Sequence, residues 1–172
     1  MVYINDSHRL IFIENPKSAS TTVRQALQRV LGDSSPRGDP DNAHLTCEQV
    51  KELFPDKWDE YLKVSTHREP LSRFLSSIKY IKHSTYYCNT PEQIVNHFQY
   101  RDSCVYCTPQ SSFINGCDFI LNFESLQSDF DSLCEKLGVS PVLIEYSNTS
   151  DIQSSSQKID KDVLIDIYHK YY

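Results

Sequence analysis

Apolar residues fall along this chain in short blocks, some continuous and some spaced three and four apart. Leu10-Ile11-Phe12-Ile13 is a continuous run rich in β-branched and aromatic side chains, closed by Glu14-Asn15-Pro16. Its shortness and its proline predict a buried strand running into a loop. Beyond Ser20-Thr21-Thr22, the positions Val23, Ala26, Leu27, Val30 and Leu31 recur at helical spacing and stop at Gly32. They form one face of a helix that a glycine ends. The first unit is strand, tight loop, helix. Ser34 to Asn42, rich in Pro, Gly and Asp, reads as a loop, and Thr46 as the N-cap of a short helix starting at Cys47.

The pattern then repeats. Tyr61 to Thr66 predicts a second strand, leading into Arg68-Glu69-Pro70. Pro70 suits the first turn of a helix that turns Phe74, Leu75, Ile78 and Ile81 inward. Residues 91–100 read as helix. Phe119 to Phe123 is a third strand, followed by a helix from Leu126 to Leu137 that Gly138 closes. Ser147 to Gln157 is a polar loop, and Asp160 to Tyr171 a terminal helix. Strands alternating with helices predict an α/β fold with a largely parallel sheet. No internal repeat or linker divides the 172 residues, so a single domain over 1–172 is expected.

Composition narrows the possibilities. The formal charge of -6 argues against broad nucleic-acid binding, although a local basic pocket remains compatible with it. No apolar run approaches the ~20 residues of a membrane helix. Residues 1–6 carry no basic segment with an apolar stretch behind it, so no signal peptide is expected. The six cysteines are scattered, and Cys104-x-x-Cys107 has no second pair to complete a zinc site. The expectation is free thiols, a cytoplasmic protein and no metal.

Two segments carry candidate chemistry. Pro16-Lys17-Ser18-Ala19-Ser20-Thr21-Thr22 joins the first strand to the first helix. The opening N–H groups of a helix lack internal partners and sit at the positive end of its dipole, so an anion there meets several donors. Lys17 adds a charge, the hydroxyls add donors, and the small side chains of Ser18, Ala19 and Ser20 allow close approach to the backbone. The nucleotide-hydrolase pattern with two glycines and a late lysine is not met, because Lys17 comes early and the glycines are missing. A Ser/Thr-rich cap that binds nothing is the alternative for this segment taken alone.

This segment resembles the 5′-phosphosulfate loop of sulfotransferases that use 3′-phosphoadenosine 5′-phosphosulfate (PAPS). Many of them carry Gly at the position of Ala19; the Ala form resembles the uronyl 2-O-sulfotransferases, a glycan-modifying branch. Arg68-Glu69-Pro70-Leu71-Ser72-Arg73-Phe74-Leu75-Ser76 resembles the second motif of the same family. There the resemblance implies that Arg68 and Ser76 bind the 3′-phosphate, Arg68 with a forked guanidinium, while Arg73 holds the loop. Asp118 to Leu126, with its aromatic-Glu step Phe123-Glu124, resembles the late strand of the family and is expected to carry no chemistry.

The resemblance implies a P-loop-like three-layer fold with a central, mostly parallel sheet flanked by helices. It also implies transfer of a sulfuryl group from PAPS to an acceptor hydroxyl on a glycan or small molecule, by in-line displacement. Such a transfer rests on positioning and charge stabilisation, and Lys17 with the loop amides is the candidate for stabilising the charge on the leaving group. His44 falls where uronyl 2-O-sulfotransferases carry a catalytic histidine, and an imidazole suits proton removal at neutral pH. Glu14 and His67 are weaker candidates for that base. Tyr86, Tyr87, Tyr100 and Tyr106 are candidates for stacking on adenine or a sugar. An ATP-dependent kinase or hydrolase of related fold, and an inactive nucleotide-binding module, are the rival functions.

Overall fold

The computed structural model describes residues 2–32, 44–84, 90–99, 105–145 and 160–171. The loops expected at 34–42 and 147–157, together with Tyr86, Tyr87, Cys88, Tyr100 and Cys104, lie outside the described residues. The chain forms two compact units, Met1–Arg68 with Pro109–Ser147, and Glu69–Thr108 with Asn148–Tyr172.

The first unit holds the sheet. Its strands are β1 (Val2–Asn5), β2 (Leu10–Ile13), β3 (Leu62–His67) and β4 (Phe119–Asn122), side by side in that order. β1 runs antiparallel to β2, while β2–β3 and β3–β4 are parallel. The result is an α/β fold whose central, mostly parallel sheet is flanked by helices. The strand β1 goes beyond the sequence reading. All four of its residues are buried, so it shows no alternation of polar and apolar positions to betray it.

Side chains alternate across a strand, and one face of this sheet carries Tyr3, Leu10, Phe12, Val64 and Leu121. Two helices of the unit cover that face, α1 (Ser20–Leu31) with Val23, Ala26 and Leu27, and a helix of equal length that follows β4 with Leu126, Phe130 and Leu133. Between β2 and β3 lie α2 (Cys47–Leu53) and α3 (Pro55–Glu60). Thr46 caps α2 as expected, its Oγ1 accepting from Gln49 N and its own N–H donating to Gln49 Oε1 at 2.9 Å. The helix α3 buries none of its residues, and so offers no apolar stripe to read.

In the second unit α4 (Pro70–Ser84), α5 (Pro91–Gln99) and a helix at Lys161–Tyr171 share a cluster of Phe74, Ile78, Ile94 and Ile167. The start of α4 is capped by Glu69, whose carboxylate accepts from Leu71 N at 2.9 Å and from Ser72 N at 2.7 Å. The Glu is thus equivalent in effect to the shorter Asp or Asn that more often caps a helix. A short helix α6 (Ser111–Ile114) precedes β4 in the first unit; α7 is Leu126–Leu137, and α8 is the terminal Lys161–Tyr171. Gly138 closes α7 in the left-handed conformation. No described helix is long and apolar enough to cross a membrane.

Candidate functional site

β2 and β3 are parallel neighbours with Ile13 opposite Ser65, so the segments leaving their carboxyl ends emerge side by side. Open α/β sheets bind ligands at such ends. From β2 comes the loop of residues 14–19, and from β3 comes Arg68, one residue beyond the strand.

The loop bends through two left-handed residues, Lys17 at φ 63° and Ala19 at φ 64°. Each has a Cβ, and the left-handed region costs such a residue roughly 1–2 kcal/mol. An inward set of hydrogen bonds holds the loop in this shape. Ser18 Oγ donates to Asn15 O at 2.7 Å and lies 2.6 Å from Thr66 Oγ1. Asn15 Nδ2 donates to Thr66 O at 2.8 Å and to Gln110 Oε1 at 3.0 Å. Strain maintained by surrounding structure is what a preorganised binding loop requires.

The same bend decides how α1 begins. Ala19 is its N-cap and makes no side-chain capping bond, and the first turn holds no acidic residue. The positive end of the helix is therefore not answered by a side chain at the cap. Ser20 and Thr22 are buried within the first turn, and Thr21 is half-buried. The hydroxyl of Ser18 is engaged within the protein, so what Ser18 offers a ligand is its backbone.

Two cations meet here. Arg68 Nη1 donates to the carbonyl of Lys17 at 3.3 Å, and its guanidinium lies 4.0 Å from the centroid of the Phe123 ring. The backbone of Arg68 is held by Gln110, which accepts from Arg68 N at 3.1 Å and donates to Arg68 O at 2.8 Å. Burial, and then the charge of Arg68, hold the Lys17 ammonium below its ordinary range.

His44 joins the same rim, its Nδ1 lying 2.9 Å from the backbone carbonyl of Glu14. A carbonyl only accepts, so Nδ1 carries the proton and the neutral ring has its lone pair on Nε2. Glu14 itself is buried, with Oε1 3.1 Å from Arg24 Nε. Burial pushes its carboxyl above the usual range against the pull of Arg24. Engaged in that pair, it is less suited than His44 to remove a proton. His67 ends β3 opposite Asn122.

The structure thus brings Pro16, Lys17, Ser18, Ala19, Ser20, Thr21, Thr22, His44 and Arg68 into the first unit, at the ends of β2 and β3. Ser76 lies half-buried on α4 in the second unit. Three residues given no role by the sequence reading belong to the site: Asn15, Gln110 and Phe123. Asn15 stood in the loop that follows the first strand and Phe123 in the aromatic-Glu step, whereas Gln110 stood in no segment with a signal; the Phe123 ring supports Arg68 where no chemical part was expected. Among the described residues no group of three or more His, Cys, Asp or Glu is arranged to hold a metal ion.

A left-handed bend after β2, an arginine after β3 and a histidine beside the bend stand in the segments by which the sequence resembled one family. The model of the sulfotransferase family matches residues 1–171 of this chain. The chain belongs to the sulfotransferase family. The match covers both units of this sulfotransferase, including the described segments that carry Lys17, His44, Arg68 and Gln110. Neither the curated proteins nor the solved structures give a match. Family membership makes the protein a transferase of sulfuryl groups.

Proposed function

We propose that this sulfotransferase takes its sulfuryl group from PAPS and delivers it to a hydroxyl of a glycan or small molecule. The observation that supports the donor assignment is the hydrogen bond from the Arg68 guanidinium to the backbone carbonyl of Lys17, two residues before the N-cap Ala19 of α1, which makes no side-chain capping bond. PAPS bears an activated 5′-phosphosulfate and a separate 3′-phosphate. Residues 16–22 fit the first of these and Arg68 the second, because a planar guanidinium can fork onto one phosphate. Ser76 keeps its assignment to the 3′-phosphate on the sequence resemblance alone.

Within this reading each group has one task. The backbone of residues 18–20 and the start of α1 orient the 5′ end. Lys17 Nζ holds the negative charge that collects on the 5′-phosphate side, in a partly buried setting where a charge acts more strongly than in water. His44 Nε2 takes the acceptor's proton, its ring oriented by the carbonyl of Glu14. The glycan preference is supported by Ala19 and His44, the two positions that resemble the uronyl 2-O branch. The free thiols of Cys47, Cys117 and Cys134 support assignment to the cytoplasm.

The test is release of 3′-phosphoadenosine 5′-phosphate (PAP) from PAPS in the presence of a panel of hydroxyl acceptors. Acceptor-dependent release, lost in Lys17→Ala with the fold retained by circular dichroism, is the expected result. Full activity in Lys17→Ala, or turnover of ATP with magnesium in place of PAPS, contradicts the proposal.

A further inference from the structure

Arg68 sits one residue past the last pairing of β3 with β4, where His67 meets Asn122. Its backbone therefore has no strand neighbour to fix it. The side chain of Gln110, which is 9% exposed and reached across 42 positions of sequence, takes that place. Its carboxamide acts as a peptide group would in a ladder, with Oε1 accepting from Arg68 N and Nε2 donating to Arg68 O. The same Oε1 accepts from Asn15 Nδ2 at 3.0 Å, and Asn15 also binds Thr66 O. This arrangement fixes both amide orientations. A flipped Gln110 would set its NH2 against Arg68 N–H, and a flipped Asn15 would set its oxygen against two acceptors.

We propose that Gln110 is the positioning residue for Arg68, and that through Asn15 it ties the arginine's backbone to the start of the anion loop. The inference rests on the reading of Arg68 as the 3′-phosphate contact. One carboxamide then sets the spacing between the two anion sites. A guanidinium whose backbone can shift loses the alignment that a forked contact to phosphate needs.

The experiment is calorimetric titration with PAP and with adenosine 5′-phosphate, which lacks the 3′-phosphate. The ratio of the two affinities isolates the 3′ contribution. Gln110→Met keeps volume but removes all three hydrogen bonds; it should lower the ratio about tenfold, within the range for losing hydrogen bonds that serve a charged contact. Gln110→Glu keeps the two accepted bonds but sets an oxygen against Arg68 O in place of the donor; it should also lower the ratio, and it serves if the Met variant does not fold. In an Arg68→Ala background either change should alter the ratio less than about twofold, since a residue acting through Arg68 has nothing left to position. An unchanged ratio, equal losses for both nucleotides, or additive losses in the double variant overturns the inference. If the unaltered protein shows no preference for PAP, the reading of Arg68 fails and takes this inference with it. A preference lost in Arg68→Ala but kept in both Gln110 variants overturns the positioning role alone.

Discussion

Arg68 and Lys17 are joined by a hydrogen bond from the guanidinium of one to the backbone carbonyl of the other, 3.3 Å long. The contact links the segments that leave the carboxyl ends of two parallel strands. Like charges so placed repel, and the cost shows in the depressed ionisation of Lys17, where burial is the larger cause and Arg68 the second. An anionic ligand reverses the balance.

That depression predicts a pH dependence. A bound anion favours the ammonium form, so the Lys17 pKa is higher in the complex than in the free protein. PAP affinity is then full below the free-protein value and falls as pH rises through it. Replacing Arg68 by Gln removes the second cause of the depression and should move the fall to higher pH, besides weakening binding overall. Calorimetry across the alkaline range checks this, and a fall at the same pH in both proteins contradicts it.

Phe123 lies under the Arg68 guanidinium at 4.0 Å. A cation–π contact of this kind contributes roughly 0.5–2 kcal/mol according to its exposure. Phe123→Ala should weaken PAP by about threefold to thirtyfold on that basis, while Phe123→Tyr, which keeps the ring, should stay within about twofold of the original. Equal affinities in the Ala variant and the parent would remove Phe123 from the site.

His44 is bound at Nδ1 and oriented through it. As the base it should contribute ~10²–10⁴-fold to turnover. His44→Ala is expected to lower kcat by that order, leave the Kd of PAP near its original value and erase the acid limb of the kcat profile. An unchanged kcat would direct attention to Glu14 or His67.

Ala19 occupies a left-handed position, φ 64°, that glycine adopts without steric penalty. Ala19→Gly relieves a strain of ~1 kcal/mol and adds some unfolded-chain entropy, so the net gain in stability should lie between ~0 and 1 kcal/mol. A denaturation midpoint that drops clearly would show that the methyl group of Ala19 contributes packing that outweighs the backbone.

Much of the α/β frame could be read from the chain because its elements carry strong local signals. The continuous run at Leu10–Ile13, the stripe from Val23 to Leu31 and the closing glycines at 32 and 138 each name their element. β1 and α3 lacked such signals for opposite reasons, one buried at every position and the other at none. The site divided in the same way. Lys17, Arg68 and His44 were legible because they lie in or beside short motifs. Gln110 was not, and Phe123 showed only as part of the aromatic-Glu step, since their part depends on the sheet bringing distant segments to Arg68.

The most direct measurement compares how Arg68→Ala changes the affinity for PAP and for adenosine 5′-phosphosulfate. The account predicts a large loss for PAP and little change for the nucleotide without a 3′-phosphate, with Lys17→Ala weakening both. Equal losses for the two ligands in Arg68→Ala would contradict it.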